Sequence, residues 1–200
     1  GAGAGSGSAA VAPGDTAPLH HDPTAAVADN LNYNGHPLQK YPVYWGGILG
    51  LKNDRTRVHM HFVSGSTDVA RGALPSHLDE ASILLISQRM RLEPTQLDGV
   101  SRKMLQEAEH AVLVAIPTGG SEMESIHNQQ VLMHSFINYL GGKQAAGIVN
   151  VTAPGAPSPT FVIHIFPPCD FSKTMMLQCA PEVSAAMLDT PHLLIVIATC

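Results

Sequence analysis

The feature that most restricts the fold is a run of six apolar residues, AVLVAI at 111–116, which ends at Pro117. A short, uniformly apolar run of this kind predicts a strand that is buried on both faces. A second apolar run, at 193–198, predicts another strand close to the end of the sequence. The fold must therefore contain a sheet.

Further β-prone segments recur along the chain from about Tyr41. Strands are predicted at 43–51, 57–63, 83–92, 148–151 and 161–166. The polar residues 52–54 predict a tight turn, so the first two strands should form a hairpin. Glycines at 46, 47 and 50 interrupt the first strand and predict a bulge or bend, as in a curved sheet or a barrel.

Helical segments lie between these strands, which gives an α+β class with about seven strands. One helix is predicted to begin at Pro94, and a long one should run from Ser121 to the glycine pair 141–142. The long helix carries apolar residues at steps of four, namely Leu132, Phe136 and Leu140. Shorter helices are predicted near 74–78, from an N-cap at Ser172 to about Cys179, and after Pro181.

Residues 1–40 are rich in glycine, alanine and proline and carry few bulky apolar side chains. Such a segment cannot offset the entropy lost on ordering, so we predict a flexible linker followed by one domain at 41–200. No apolar run approaches the roughly 18 residues of a membrane span, and the sequence shows no signal-peptide pattern. The three cysteines are too few for a disulfide framework and fit a reducing compartment such as the cytosol or nucleus.

The net charge is −5, from 11 basic and 16 acidic side chains, which argues against a general nucleic-acid binder. The basic residues nevertheless cluster. One group is Lys52, Arg55 and Arg57, and the other is Arg89, Arg91, Arg102 and Lys103. A local positive patch on a mildly acidic chain suits a discrete anionic group better than a long polyanion.

Residues 87–92, SQRMRL, place Arg89 and Arg91 on one face of a predicted strand and Met90 on the other. Side chains two residues apart on a strand face are separated by about 7 Å. Two guanidiniums at that spacing could hold one phosphate or a short acidic motif. The alternative, from these residues alone, is a solvated strand face that protects a sheet edge.

The sequence gives no positive support for a catalytic site or a cofactor-binding site. His59 and His61 share a strand face but have no accompanying cysteine pair or HExxH motif, so they indicate ordinary strand histidines and no metal site. The string Gly141–Gly142–Lys143 lacks the other residues of a phosphate-binding loop. No nucleophile motif is present. We therefore predict a binding module with no enzymatic activity and no cofactor.

Several strings strongly resemble the SPOC domain of split-ends (Spen) proteins, in register from about Tyr41 onward. They are YPVYW at 41–45, LKND at 51–54, HFVSG at 61–65, QRMRLE at 88–93, TQL at 95–97, KQAAGI at 143–148, IFPPC at 165–169, PHL at 191–193 and IVIA at 195–198. The resemblance implies a distorted seven-stranded β-barrel framed by helices.

The resemblance also implies a function. The resemblance implies that this chain, like SPOC domains, reads phosphoserine peptides and recruits partners to nuclear transcription and RNA-processing assemblies. For the split-ends branch the implied partner is the acidic, phosphorylated tail of SMRT/NCoR-type corepressors, and for other branches it is the phosphorylated RNA polymerase II tail. A nucleic-acid-binding module is the remaining alternative. Direct RNA binding by this chain is not expected, and neither is membrane binding.

The implied phosphopeptide site carries over onto five residues of this sequence, which are Arg89, Arg91, Lys52, Tyr139 and Lys143. Tyr139 and Lys143 are four residues apart and should share a helix face. One position departs from the family pattern, because Leu85 stands where the best-known relatives carry a basic residue. This difference predicts a weaker electrostatic attraction between the site and the most acidic ligands.

Overall fold

A computed structural model describes residues 35–76 and 82–200 of the chain. Within these ranges the strands are β1 (Val43–Leu51), β2 (Asp54–Gly65), β3 (Ile83–Ile86), β4 (Gln88–Arg91), β5 (His110–Pro117), β6 (Ala145–Val151), β7 (Phe161–Phe166) and β8 (Leu193–Thr199). The helices are α1 (Thr67–Ala73), α2 (Pro94–Met104), α3 (residues 122–142), α4 (Asp170–Cys179) and α5 (Pro181–Ala186). Single 3₁₀ turns lie at Pro37–Lys40 and Glu107–Glu109.

The strands form one sheet in the order β3-β1-β2-β5-β8-β7-β6-β4. Neighbouring strands are antiparallel except β1 and β3, which are parallel. Only Ser87 separates the two edge strands, so the sheet curls until its edges meet. Ile86 of β3 then packs so closely on Gly147 of β6 that a Cβ there would lie 2.9 Å from Ile86 Cδ1. The result is a nearly closed barrel framed by helices, which confirms the predicted α+β barrel.

The structure has eight strands in the described ranges, where seven were predicted. The difference arises at 83–92, which was predicted as one strand and is divided at Ser87. Its first half pairs with β1 and its second half pairs with β6, so the chain changes partners at this point. Local alternation of side chains cannot reveal such a change, because pairing partners are distant in sequence.

The core consists of two clusters on opposite faces of the sheet. One contains Leu132 and Phe136 of α3, and the other contains Val100 of α2 and Val183 of α5. All eight residues of β5 are buried, and the six from 111 to 116 belong alternately to the two clusters. The prediction of a strand buried on both faces is therefore confirmed.

Core packing includes residues that precede the predicted domain start at Tyr41. The turn Pro37–Lys40 carries Leu38, which is fully buried in the cluster that includes α5. Most of the predicted linker, residues 1–34, lies outside the described residues. Across the described ranges no helix is long and apolar enough to cross a membrane.

Two short helices differ from the prediction in position. The helix predicted near 74–78 is found as α1 at Thr67–Ala73, because Ser66 Oγ accepts a hydrogen bond from the backbone of Val69 and caps an earlier turn. Residues 77–81 lie outside the described ranges. Ser172 is not the N-cap of α4. The N-cap is Cys169, and Ser172 lies in the first turn of the helix. There the Ser172 Oγ accepts a hydrogen bond from the Cys169 backbone N–H at 2.9 Å.

Helix α3 is not a regular α-helix throughout. It comprises Glu122–Val131, a π-helical turn at Leu132–Ile137, and Asn138–Gly142. Within the π turn the N–H of Asn138 donates to the carbonyl of Met133, five residues earlier. Its apolar stripe is as predicted, since Leu132 and Phe136 are fully buried. The π turn ends two residues before Tyr139, and such turns are common at functional sites.

Candidate anion-binding site

Three elements meet at one edge of the barrel. The paired strands β1 and β3 end side by side, with Leu51 opposite Ile86. The residues that follow, Lys52 and Ser87, therefore emerge together. Strand β4 begins at the next residue and carries Arg89 into the same region. The topology thus brings together side chains that are separated by more than thirty positions in the sequence.

Tyr139, from the last turns of α3, holds two of these cations. Arg89 Nη1 donates to Tyr139 Oη at 2.8 Å, and the Arg89 Cζ atom lies 5.6 Å from the centre of the ring. Lys52 Nζ lies 4.3 Å from the same ring centre. Each cation over an exposed aromatic ring contributes about 0.5–1 kcal/mol. The ring therefore offsets part of the repulsion between two like charges that share one site.

The electrostatics of the site are visible in the Tyr139 hydroxyl. Its pKa is lowered from the ordinary value, chiefly by a hydrogen bond with Lys52 and further by the positive charges of Arg89, Lys52 and Lys143. Burial opposes this change. The same positive field that favours a phenolate favours any other oxyanion placed beside the ring.

The β1–β2 turn holds Lys52 in an uncommon conformation. Its φ is 54°, in the left-handed region that costs a non-glycine residue about 1 kcal/mol or more. Arg55 secures the turn, because its Nη1 donates to the carbonyls of Lys52 at 2.7 Å and of Asp54 at 2.8 Å. Glycine would adopt this backbone conformation at a lower cost than lysine.

Lys143 enters the site from the connection between α3 and β6. It directly follows α3, and the next residue, Gln144, has a φ of 48°. The Gln144 carbonyl accepts a hydrogen bond from the Leu92 N–H at 2.9 Å, which ties this connection to the end of β4. Among the described residues other than glycine, Lys52 and Gln144 are the two with positive φ, and both adjoin the site.

Arg91 lies farther along the exposed face of β4. Met90, between the two arginines, packs against the cluster that includes α2, so both guanidiniums project from the opposite face as predicted. Arg91 Nη1 lies 3.5 Å from Glu93 Oε1. The structure therefore brings Arg89, Lys52 and Tyr139 into direct contact, with Lys143 close enough to affect Tyr139. Arg91 stands at the margin with a carboxylate partner.

A shallow groove of about 450 Å³ runs beside this cluster. It is lined by Leu51, Lys52, Ile86, Ser87, Gln88, Arg89 and Tyr139. Two of these lining residues, Lys52 and Arg89, are cationic. Leu85 lies outside it, about half exposed, with its side chain packed over Gly50 beside Arg55.

The strand histidines and Arg57 do not contribute to this cluster. His59 and His61 are buried, and His61 Nδ1 lies 2.8 Å from the Tyr41 carbonyl. In the part of the chain that the structure describes, no group of three or more histidine, cysteine or acidic side chains is placed to share a metal ion. Arg57 lies 3.7 Å from Glu124, away from the cluster. Basic residues that are close together in the sequence therefore have different partners in the fold.

Comparison with known proteins identifies relatives over most of the chain. The SPOC domain family matches residues 36–200. The chain is 47% identical over 163 residues to Protein split ends of Drosophila melanogaster, and 46% identical over 164 residues to the Msx2-interacting protein of Homo sapiens. Each alignment covers 81% of this chain but only 3% and 4% of the respective relative.

Among solved structures, the chain is similar to the SPOC domain of human PHD-finger protein 3. The superposition covers 80% of this chain and 98% of that one, with 13% sequence identity and a TM-score of 0.46.

Proposed function

Because the chain belongs to the SPOC domain family, a family of protein-interaction modules, we propose that it is a phosphoserine-peptide-binding module. The observation that carries the proposal is the contact of Arg89 and Lys52 with Tyr139, since all three residues line one groove. Its partners would be the acidic, phosphorylated tails of SMRT/NCoR-type corepressors, bound in the nucleus. Catalysis forms no part of this function.

The chemistry of a phosphoserine matches the cluster. A phosphate monoester carries a charge of about −1.5 to −2 and three acceptor oxygens. Arg89 and Arg91 offer planar forks of donors, Lys52 and Lys143 offer ammonium groups, and Tyr139 offers a hydroxyl. The phosphate would sit against Arg89 and Lys52, and the groove beside them would take the neighbouring residues of the peptide.

Two alternatives use the same patch. A phosphorylated RNA polymerase II tail presents the same phosphate chemistry in a different peptide. Single-stranded nucleic acid would need a longer basic surface with stacking aromatics. The site has one aromatic ring, Tyr139, and Lys52 and Arg89 already lie over it, so it is poorly available for stacking with a base. Both alternatives are outcomes of the test below.

The test is a titration of matched peptides that differ only in one phosphate. We expect the phosphorylated acidic peptide to bind at least severalfold more tightly than its plain form at physiological salt, because only the phosphate engages the whole cluster. Corepressor-derived and polymerase-derived phosphopeptides in the same series would rank the two partner classes. Tighter binding of single-stranded RNA, with a steep salt dependence, would overturn the proposal.

Lys52 allows binding and stability to be separated. A Lys52→Gly change removes the ammonium and also relieves the left-handed backbone conformation. We expect the free energy of unfolding to stay the same or rise by up to about 1 kcal/mol. Phosphopeptide affinity should fall severalfold, and the loss should shrink at higher salt because the charge is exposed. Chemical denaturation and calorimetric titration measure the two effects. A lower stability with unchanged affinity would show that Lys52 is only a turn residue.

A further inference from the structure

Glu93 places a carboxylate beside one arginine of the proposed site. The Arg91 and Glu93 side chains approach to 3.5 Å, and they are 80% and 56% exposed. Arg91 therefore has an anionic partner within the chain itself. Arg91 is exposed on the same strand as Arg89, so the ion pair lies next to the proposed phosphate site.

The position of Glu93 in the chain offers its carboxylate a second place. Glu93 is the N-cap residue of α2, and a side-chain oxygen at that position commonly accepts a hydrogen bond from the first turn of the helix. The Glu93 side chain makes no such hydrogen bond. It lies at Arg91 instead, although a helix N-terminus also favours negative charge.

We propose that Glu93 is an intramolecular competitor for Arg91, which a phosphopeptide must displace before both arginines can act on it. This inference rests on the proposed phosphoserine-binding function. A phosphate can displace the carboxylate because it brings more charge and an additional acceptor oxygen. The released carboxylate can turn to the N-terminus of α2, which limits the cost of displacement. Glu93 thereby lowers the affinity of the site without contacting the ligand.

The test is the Glu93→Gln variant, which removes the charge and keeps the length of the side chain. We expect phosphopeptide affinity to rise about two- to fivefold, the range that corresponds to an exposed ion pair. The rise should disappear in the Arg91→Ala background, because no arginine is then available to be released. A gain in affinity cannot be produced by partial unfolding, so the readout is independent of stability.

Asp98→Asn is the matched control. Asp98 lies within α2, the helix that Glu93 precedes, and pairs with Arg102 at 2.7 Å outside the cluster, so this variant makes the same change in net charge. We expect it to change affinity less than twofold. An equal rise in both variants would reduce the effect to net charge, and a rise that persists without Arg91 would show direct repulsion of the ligand. Either result overturns the inference.

The wild-type chain separates the two proposals. A wild type that does not distinguish phosphorylated from plain peptide would count against the proposed function itself. A wild type that does distinguish them, together with unchanged affinity in Glu93→Gln, would overturn only the role of Glu93.

Discussion

Replacing Arg89 by alanine is expected to weaken phosphopeptide binding by about 10- to 100-fold. A charge-assisted hydrogen bond contributes about 1.5–3 kcal/mol, and the variant removes the guanidinium that contacts Tyr139 Oη. Arg89→Lys should recover only part of the loss, because an ammonium group lacks the planar fork. The measurement is calorimetric titration with a single phosphoserine peptide.

Arg71→Ala is the control for Arg89. Arg71 is exposed on α1 and pairs with Asp68 at 3.0 Å, so its removal changes the net charge without touching the site. Its affinity for the phosphopeptide should stay close to that of the wild type. Because Arg89 is exposed, neither variant should lower the melting temperature appreciably. Unchanged affinity with a large fall in melting temperature for Arg89→Ala would assign Arg89 a structural role.

Mild acid is expected to destabilise the fold through His59. Burial lowers the pKa of His59 from 6.5 to about 4, and the charges of His61 and Arg57 act in the same direction. In the described part of the chain, His59 Nδ1 is buried without a hydrogen-bond partner. His59 is therefore protonated below about pH 6.5 in the unfolded chain but only below about pH 4 in the folded chain. Stability should fall as the pH is lowered through this window.

The expected loss is about 3 kcal/mol for His59 alone, because each pKa unit corresponds to about 1.4 kcal/mol. Burial also lowers the pKa of His164 and His192, so the total loss should be larger. Urea denaturation between pH 7 and pH 4 measures the dependence. His59→Gln should flatten it, whereas the same change at the exposed His134 should not. An equal slope in all three proteins would exclude His59 as the cause.

Much of the fold could be predicted from local patterns in the sequence. The uniformly apolar residues of β5 and the four-residue steps of α3 report burial directly, and both predictions are confirmed. Alternation along β4 likewise placed Arg89 and Arg91 on one face, opposite Met90. These features depend on a residue and its near neighbours. The break at Ser87 depends instead on which strands pair, and no local pattern encodes that.

The site was only partly accessible from the sequence. The roles of Tyr139 and Lys143 were inferred by resemblance, because their closeness to Lys52 depends on how α3 crosses the end of the barrel. Sequence proximity suggested one basic group of Lys52, Arg55 and Arg57, yet Arg55 binds turn carbonyls. Glu93 was not singled out at all. A lone acidic residue before a helix looks like an ordinary N-terminal charge until its neighbour in space is known.

The π turn of α3 has a consequence for changes in chain length. An α-helical residue advances the direction of its side chain by about 100°, so one insertion or deletion normally turns everything beyond it away from its target. The π turn at Leu132–Ile137 already accommodates one residue more than a regular turn. Losing a residue there would restore a plain α-helix and leave Tyr139 facing Arg89. A loss before the π turn would rotate Tyr139 and Lys143 away from Arg89, so the part of α3 that precedes Tyr139 has one short stretch in which its length can vary.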